Sequence, residues 1–319
     1  MNVGVVGLGA MGMGVARQLL AKSFQVHGCD LRDDARKALV AAGGSAHESP
    51  AELGAVCEAL IVFVVSARQA TDALFGQQGA AQTLRRGAVV ISCVTASPAD
   101  NKALADRLDT AGIQMIGAPV SGGIKGAADG QLTLMASGPD SAFEACTELL
   151  QAISSKVYRL DTEHGMASKV KIINQLLVGV HIAATAEAMA LGLREGVDPD
   201  LLYDVIKNSA GNSWAFTDRA PRILKSEFVA SAYGARHLRQ RSRACARRRP
   251  REPLPAAVGV GGLPDVRQCV GRWIGRRRRH CGDQDIPRHQ AAESKQFSLT
   301  ATRDPAWAMT RLLFAEVTF

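Results

Sequence analysis

Lys171, Asn174 and Gln175 lie three and four residues apart in an apolar stretch, Lys169-Val170-Lys171-Ile172-Ile173-Asn174-Gln175. On a helix those offsets bring the three polar side chains to one face, whereas the same offsets from Lys169 fall on Ile172 and Ile173. Lys171 therefore belongs to a polar stripe and Lys169 does not. Taken singly, a helix lysine is a solvated surface group. A lysine desolvated in a cleft holds its proton less tightly and can act as a general base, with neighbouring amides orienting a hydroxyl.

Two glycine-bearing segments could hold anions. Gly7-Leu8-Gly9-Ala10-Met11-Gly12 follows the strand-like Val3–Val6 and opens a helix-compatible run. Glycines where a strand turns sharply into a helix leave unpaired N–H groups on which a dinucleotide pyrophosphate can sit. Asp30 closes the next strand, at about the spacing where an acid holds the ribose hydroxyls of NAD. Glycines alone would fit a merely structural turn; strand, helix and acid together favour the cofactor. Pro119-Val120-Ser121-Gly122-Gly123, with Gly126-Ala127 and Gly130 beyond, could present N–H groups to a carboxylate. A tight turn that needs small residues is the equal alternative there. Val94-Thr95-Ala96-Ser97-Pro98 follows a strand and begins a helix, which places it at the strand ends near the cofactor.

These groups need a scaffold, and the first 160 residues supply its pattern. Strands are predicted at Val3–Val6, Gln25–Cys29, Ala59–Val65, Ala88–Ser92, Gln114–Ile116, Leu132–Ala136 and Lys156–Leu160. Helical periodicity covers Met13–Lys22, Arg32–Ala42, Pro98–Ala111 and Asp140–Ala152. Alternation of this kind predicts α/β architecture, a Rossmann-like doubly wound parallel sheet. After Gly165 the strand signals stop. Residues 166–194 contain no proline and a single interior glycine, Gly179, which predicts one long, mostly buried helix. Asp198-Pro199 starts a further helix to Lys207, so an all-helical second domain follows, incomplete here. The expected domains are 1–162, dinucleotide-binding, and 163–235, helical.

Composition excludes several classes. Hydrophobic residues make up 47% of the 319, enough for a sizeable core. No uninterrupted apolar run approaches the ~20 residues of a membrane span, so no membrane partner is expected. The N-terminus lacks the ordered parts of a secretion signal, and the expected location is cytoplasmic. Seven cysteines occur without zinc-type spacing, so no metal is expected and the thiols should be reduced.

The net charge of +8 is unevenly spread. Residues 236–282 hold fourteen arginines, no lysine and two acids, Glu252 and Asp265, a net +12. Residues 1–235 sum to −3. Three readings compete for this segment: a phosphate-binding arm, a solvated disordered arm, or translation of a shifted reading frame. The absence of lysine favours the last, and no nucleic-acid partner is expected.

GLGAMG, the run APVSGGxxGAxxGxLxxMxSG from Ala118, and the helix Gly165-x5-Lys171-x-x-Asn174 occur together and in order. With these motifs residues 1 to about 230 resemble the β-hydroxyacid dehydrogenase family, which includes 3-hydroxyisobutyrate dehydrogenases and tartronate semialdehyde reductases. The resemblance implies oxidation of a small hydroxy acid with NAD, in preference to NADP. It implies Lys171 as catalytic acid/base, and Asn174, with Gln175, on the reacting hydroxyl. Ser121, Gly122 and Gly123 would hold the substrate carboxylate. Gly7, Leu8, Gly9, Ala10, Met11, Gly12, Asp30, Val65 and Thr95 would contact the cofactor, Thr95 on the nicotinamide side. The family often has Asn-Asn where this chain has Asn174-Gln175. Asp30 would repel the 2′-phosphate of NADP, and Arg32 nearby works against that preference. Family members form homo-oligomers.

The family continues with DIFVKDLG, FPLPL and DDxAVIKIF, all absent here as written. Back-translation of Arg236–Arg243 read from its second base permits DIFVKDLG. The same offset on Leu254–Val258 permits FPLPL, and on Arg278–Ile286 permits DDTAVIKIF. Three matches in one frame and at the family's spacing point to a frame change between about Phe228 and Arg236. Residues 236–319 are then an aberrant, disordered tail, and part of the long helix's apolar face loses its cover.

Overall fold

A computed structural model of the protein describes residues 1–224. The expectations for the Arg-rich residues 236–319 lie outside the described residues. The chain divides into two compact units, and among the described residues these are 1–178 and 179–224. The expected boundary at 162/163 falls at the junction between the last strand and the long helix.

The first unit is built on a nine-stranded sheet. Its strands are β1 (Asn2–Val6), β2 (Gln25–Cys29), β3 (Ser45–His47), β4 (Ala59–Val62), β5 (Val89–Ser92), β6 (Gln114–Gly117), β7 (Val120–Ser121), β8 (Leu132–Ser137) and β9 (Ser154–Asp161). Six run parallel in the order β3-β2-β1-β4-β5-β6. The far edge departs from the parallel expectation: β8 runs antiparallel to β6 and β7, and β9 pairs with β8. That edge is also broken in two. Gly117 and Val120 flank Ala118-Pro119, and proline cannot donate to a ladder, so β6 and β7 form two short pieces that both lie along β8.

Residues of β1, β4 and β5 alternate between two cores, one on each face of the sheet. Val3, Val5, Ala59, Ile61, Val89 and Ile91 pack with Val15, Ala16 and Leu19 of α1 (Ala10–Ala21). Val6, Leu60, Val62 and Val90 pack on the other side with Leu53, Leu74 and Leu104. Strands buried on both faces carry near-continuous Val, Ile and Leu, which is why they were legible. The helices that cover them are α2 (Asp33–Ala41), α3 (Pro50–Val56), α4 (Ala67–Phe75), α5 (Pro98–Thr110), α6 (Gly123–Ala128), α7 (Asp140–Ala145) and α8 (Thr147–Ile153). Ser49 and Ser97 cap α3 and α5 by accepting from Glu52 N and Asp100 N, each with a proline at the first helical position.

Several expectations are corrected. The strand from Ala59 ends at Val62, not Val65. The helix expected over 140–152 is two helices, because Cys146 leaves helical geometry at φ −113°. The long helix α9 (Met166–Arg194) has the expected span but is not mostly buried. Ile173, Leu177 and Val180 are each more than half exposed. Its alanines, valines and leucines also make it long and apolar enough, by length and composition, to cross a bilayer. That corrects the expectation of no span-length apolar segment, since the scattered Asn174, Gln175, His181 and Thr185 interrupt each run without making the whole helix polar.

The second unit holds the remainder of α9 with α10 (Pro199–Lys207) and α11 (Trp214–Leu224). Asp198 caps α10 by accepting from Leu201 N at 2.9 Å. Met189, Phe216 and Ala220 form its small core, with Tyr203 stacked on Phe216.

Candidate active site

Lys171 is 3% exposed, although it follows the more open Lys169 and Val170. In the part of α9 that belongs to the first unit, only Ala167, Ser168 and Lys171 are buried. Lys171 Nζ donates to the carbonyl of Val120 at 2.6 Å. A buried lysine needs such partners, because its charge is costly to desolvate. Asn174 and Gln175 are half-buried on the same helix, and Asn174 Nδ2 lies 3.3 Å from Gln175 Oε1.

Val120 is the residue directly before Ser121-Gly122-Gly123. The chain there leaves β7 and enters α6 through two consecutive left-handed residues, Gly122 at φ +123° and Gly123 at φ +63°. Side chains rarely accept that conformation, so both glycines are required by the turn. The turn is half-open to solvent, and successive backbone N–H groups in it make a concavity suited to an anion. The structure thus brings together the predicted amine and the predicted carboxylate cradle, 51 residues apart in sequence.

The remaining predicted residues gather at the carboxyl ends of the parallel strands. Strand order reverses between β1 and β4, and ligands of open α/β sheets bind in the crevice at such a switch point. Gly7 follows β1, Asp30 follows β2, Val65 follows β4 and Thr95 follows β5. Gly7 has φ +90°, and a Cβ there would stand 2.4 Å from the Phe63 carbonyl oxygen. A Cβ on Gly12 would stand 1.9 Å from the Gly7 carbonyl oxygen. At Gly9 a Cβ would meet nothing within 4 Å. Gly9 heads α1, which has no side-chain cap and no acid in its first turn. The dipole of such a helix start favours an anion, and the space beside Gly9 Cα is open to one.

Asp30 braces this loop. Its carboxylate accepts from Leu8 N at 2.7 Å and from Arg32 N at 2.9 Å. Arg32 folds over it, with Nε at 3.3 Å from Oδ1 and Nη2 donating to the Leu8 carbonyl. A carboxylate has about four acceptor directions, so capacity for a ribose hydroxyl remains. Leu8 itself is 2% exposed, its side chain part of the core, and its N–H and carbonyl are engaged by Asp30 and Arg32. Ala10 is exposed and Met11 half-buried. Room beside Gly9, a helix start with no acid in its first turn, Gly7 and Gly12 packed without room for side chains, and an acid at the end of β2 fit a dinucleotide.

Other chemistry is sparse. Among the described residues four cysteines, Cys29, Cys57, Cys93 and Cys146, are free and buried. Burial pushes the Cys29 thiol up to about 11 and those of Cys57 and Cys146 to about 12. They stay protonated and poorly nucleophilic. No metal-binding cluster of three or more ligands exists among the described residues. A cavity of about 760 Å³ lined by Lys22, Phe24, Glu144 and Glu148 opens near the amino end of β2, away from the carboxyl strand ends where the predicted cofactor residues gather. Sequence reasoning missed the buried Asn101 and Ser168, whose side chains hydrogen-bond to each other. Each reads as an ordinary polar helix residue, and nothing in the sequence pairs them.

Residues 2–161 match the family described as the NAD binding domain of 6-phosphogluconate dehydrogenase. Residues 165–238 match the family described as NAD-binding of NADP-dependent 3-hydroxyisobutyrate dehydrogenase. The L-threonate dehydrogenase of Cupriavidus necator is 55% identical over 228 residues, covering 72% of this chain and 77% of that protein. That of Escherichia coli K12 is 44% identical over 229 residues, covering 72% and 76%. The crystal structure of a 3-hydroxyisobutyrate dehydrogenase from Salmonella typhimurium superposes with a TM-score of 0.72 at 37% identity, covering 88% of this chain and 96% of that one. The chain belongs to the NAD-binding hydroxyacid dehydrogenases of the 3-hydroxyisobutyrate dehydrogenase family.

Proposed function

We propose that this protein oxidises L-threonate at C2 to the 2-oxo acid 2-oxotetronate, with Lys171 as general base. The observation that carries the proposal is the buried Lys171 amine, held on the Val120 carbonyl beside the Ser121–Gly123 turn. Identity of 55% and 44% to two L-threonate dehydrogenases supports the substrate. The likeness to a 3-hydroxyisobutyrate dehydrogenase keeps 3-hydroxyisobutyrate as the second reading, with tartronate semialdehyde reduction in the same class.

In this reading Ser121, Gly122 and Gly123 bind the substrate carboxylate through N–H groups and the serine hydroxyl. Asn174, with Gln175 beside it, orients the C2 hydroxyl toward Lys171. The Lys171 amine takes the hydroxyl proton, and the Val120 carbonyl then holds the resulting ammonium. Gly7, Gly9 and Gly12 would receive the pyrophosphate of NAD, Asp30 the adenosine ribose, and Val65 and Thr95 the nicotinamide half. NAD, when bound, supplies the acceptor for the hydrogen and electron pair that leave C2. Asp30 favours NAD over NADP, because a second negative group beside its carboxylate is repelled. A cytoplasmic location fits the bacterial metabolic relatives.

We also infer that the reading frame changes between about Phe228 and Arg236, so that a frame-restored chain carries the activity and the printed chain is impaired. The 228-residue extent of the match to the C. necator relative is in keeping with this. Lys171→Ala in the frame-restored chain should lower kcat about 10²–10⁴-fold, the usual worth of a positioned acid/base. NAD affinity, measured by calorimetry, should be unchanged. Turnover of L-threonate near the wild-type rate would reject Lys171, and turnover of 3-hydroxyisobutyrate in its place would reject the substrate.

A further inference from the structure

We propose that Asn101 and Ser168 are positioning residues for Lys171, setting through their buried hydrogen bond where its amine stands. The inference rests on the reading of Lys171 as the acid/base. Among the described residues of the first unit, α9 has its buried positions near its start. Every residue from 172 to 178 is half-buried or exposed, so among the described residues the buried anchors of this part of the helix are its first turn and Lys171. Three attachments are seen among the described residues at that first turn and the residue before it. Asn101 Nδ2 donates to Ser168 Oγ, with the two residues 2% and 1% exposed and 67 apart in sequence. Ala167 N reaches Ser137 Oγ on β8 at 3.4 Å, a weak bond. Gly165, at φ +101°, lies against Pro98, where a Cβ would stand 3.0 Å from the proline carbonyl oxygen.

Of these, the Asn101–Ser168 bond is the specific one. Ser168 and Lys171 are three residues apart and share a helix face. Asn101 lies in the first turn of α5, four residues from the Ser97 cap, on the helix entered directly from the Thr95 segment. The bond therefore ties the base-bearing helix to the element that follows the predicted nicotinamide contact. Small misplacements of a reacting group cost rate steeply, whereas binding of the dinucleotide at Gly7–Gly12 does not depend on this joint.

The test uses Ser168→Ala, Asn101→Ala and the double variant, in both the 319-residue chain and the frame-restored chain. Acetic anhydride labelling of Lys171 relative to Lys169, read by peptide mass spectrometry, reports the amine's placement without needing turnover. Both the single variants and the double variant should raise that ratio roughly fivefold or more. In the frame-restored chain kcat should fall on the order of tenfold, with KM for NAD unchanged. The double variant leaves no buried group unpaired, so its thermal stability should recover relative to the singles while its kcat stays low. An unchanged labelling ratio in folded variants overturns the proposal. So does a kcat that recovers together with the melting temperature in the double variant, which would make the pair merely structural. Lys171→Ala assayed in parallel separates the two ideas: its normal turnover would sink the acid/base role, whereas the labelling ratio reads placement whatever that role is.

Discussion

At the scale of single residues, the three glycines of the opening turn do different work. Gly12 is required by the fold, since a Cβ would stand 1.9 Å from the Gly7 carbonyl oxygen. Gly9 is not, since a Cβ there meets nothing within 4 Å. Gly9→Ala should therefore leave the urea midpoint within the equivalent of about 1 kcal/mol, yet weaken NAD binding roughly tenfold or more by occupying the approach to the helix start. Gly12→Ala should cost about 2 kcal/mol or more in stability. Equal NAD affinity for Gly9→Ala and wild type, by calorimetry, would mean that the open space does not receive the pyrophosphate. The offsets from Lys171 to Asn174 and Gln175 were legible because helix spacing alone sorts residues onto faces. The hydrogen bond to the Val120 carbonyl was not, because no local pattern encodes a contact across 51 residues. Nor could spacing show that the Leu8 side chain faces the core while its N–H is taken by Asp30.

Elements differed in how plainly the sequence wrote them. The doubly buried strands β1, β4 and β5 announce themselves by uninterrupted apolar residues, and α10 by Asp198-Pro199. Three-residue β3 and two-residue β7 are too short to show a period of two. Helix α6 hides in a glycine-rich run that reads as loop, because Gly disfavours helix interiors. Packing explains why it is there. Gly14 on α1 lets α6 come close: a Cβ at Gly14 would stand 3.0 Å from the Ala127 carbonyl carbon and the Ala128 nitrogen. Gln18 on α1 also donates to the Ala128 carbonyl. Helix α1 begins at the Gly7–Gly12 turn and α6 at the Ser121–Gly123 turn, so this contact sets one turn against the other. Gly14→Leu should push the helices apart, costing on the order of 1–3 kcal/mol as overpacking does. In the frame-restored chain it should also raise KM for substrate more than Gly9→Ala does. A variant with lowered melting temperature but unaltered KM would show that α1–α6 contact supports the fold without setting the substrate turn. The exposure of α9 escaped sequence reasoning for the converse reason: an apolar helix reads as buried whether or not a neighbour covers it.

At the scale of the whole chain, the folded state refuses protons that the unfolded chain would accept. His164 sits in the turn between β9 and α9, and its Nδ1 is buried with no hydrogen-bond partner among the described residues. Burial pulls its pKa below the usual histidine value; Lys102 on α5 pushes the same way, against Asp106 and Asp109. His27, facing His47 across β2 and β3 with ring nitrogens 3.0 Å apart, is likewise lowered, by burial first and then by His47. Both are neutral when folded at neutral pH. As pH falls through about 6.5, the unfolded chain takes up these protons while the folded chain does not, so unfolding becomes favoured. The stabilising contribution is therefore complete above that value and declines below it, until the folded state itself is protonated. Urea midpoints for the chain should be lower at pH 5.5 than at pH 7.5. His164→Asn should show a smaller difference between the two pH values than the parent, because it removes one of the two titrating groups. Because His164 precedes the first turn of α9 by two residues, the proteolysis rate at that turn should rise over the same interval in the parent and less in the variant. Midpoints that do not move with pH, or that move equally in parent and variant, would show that acid sensitivity does not reside at this joint.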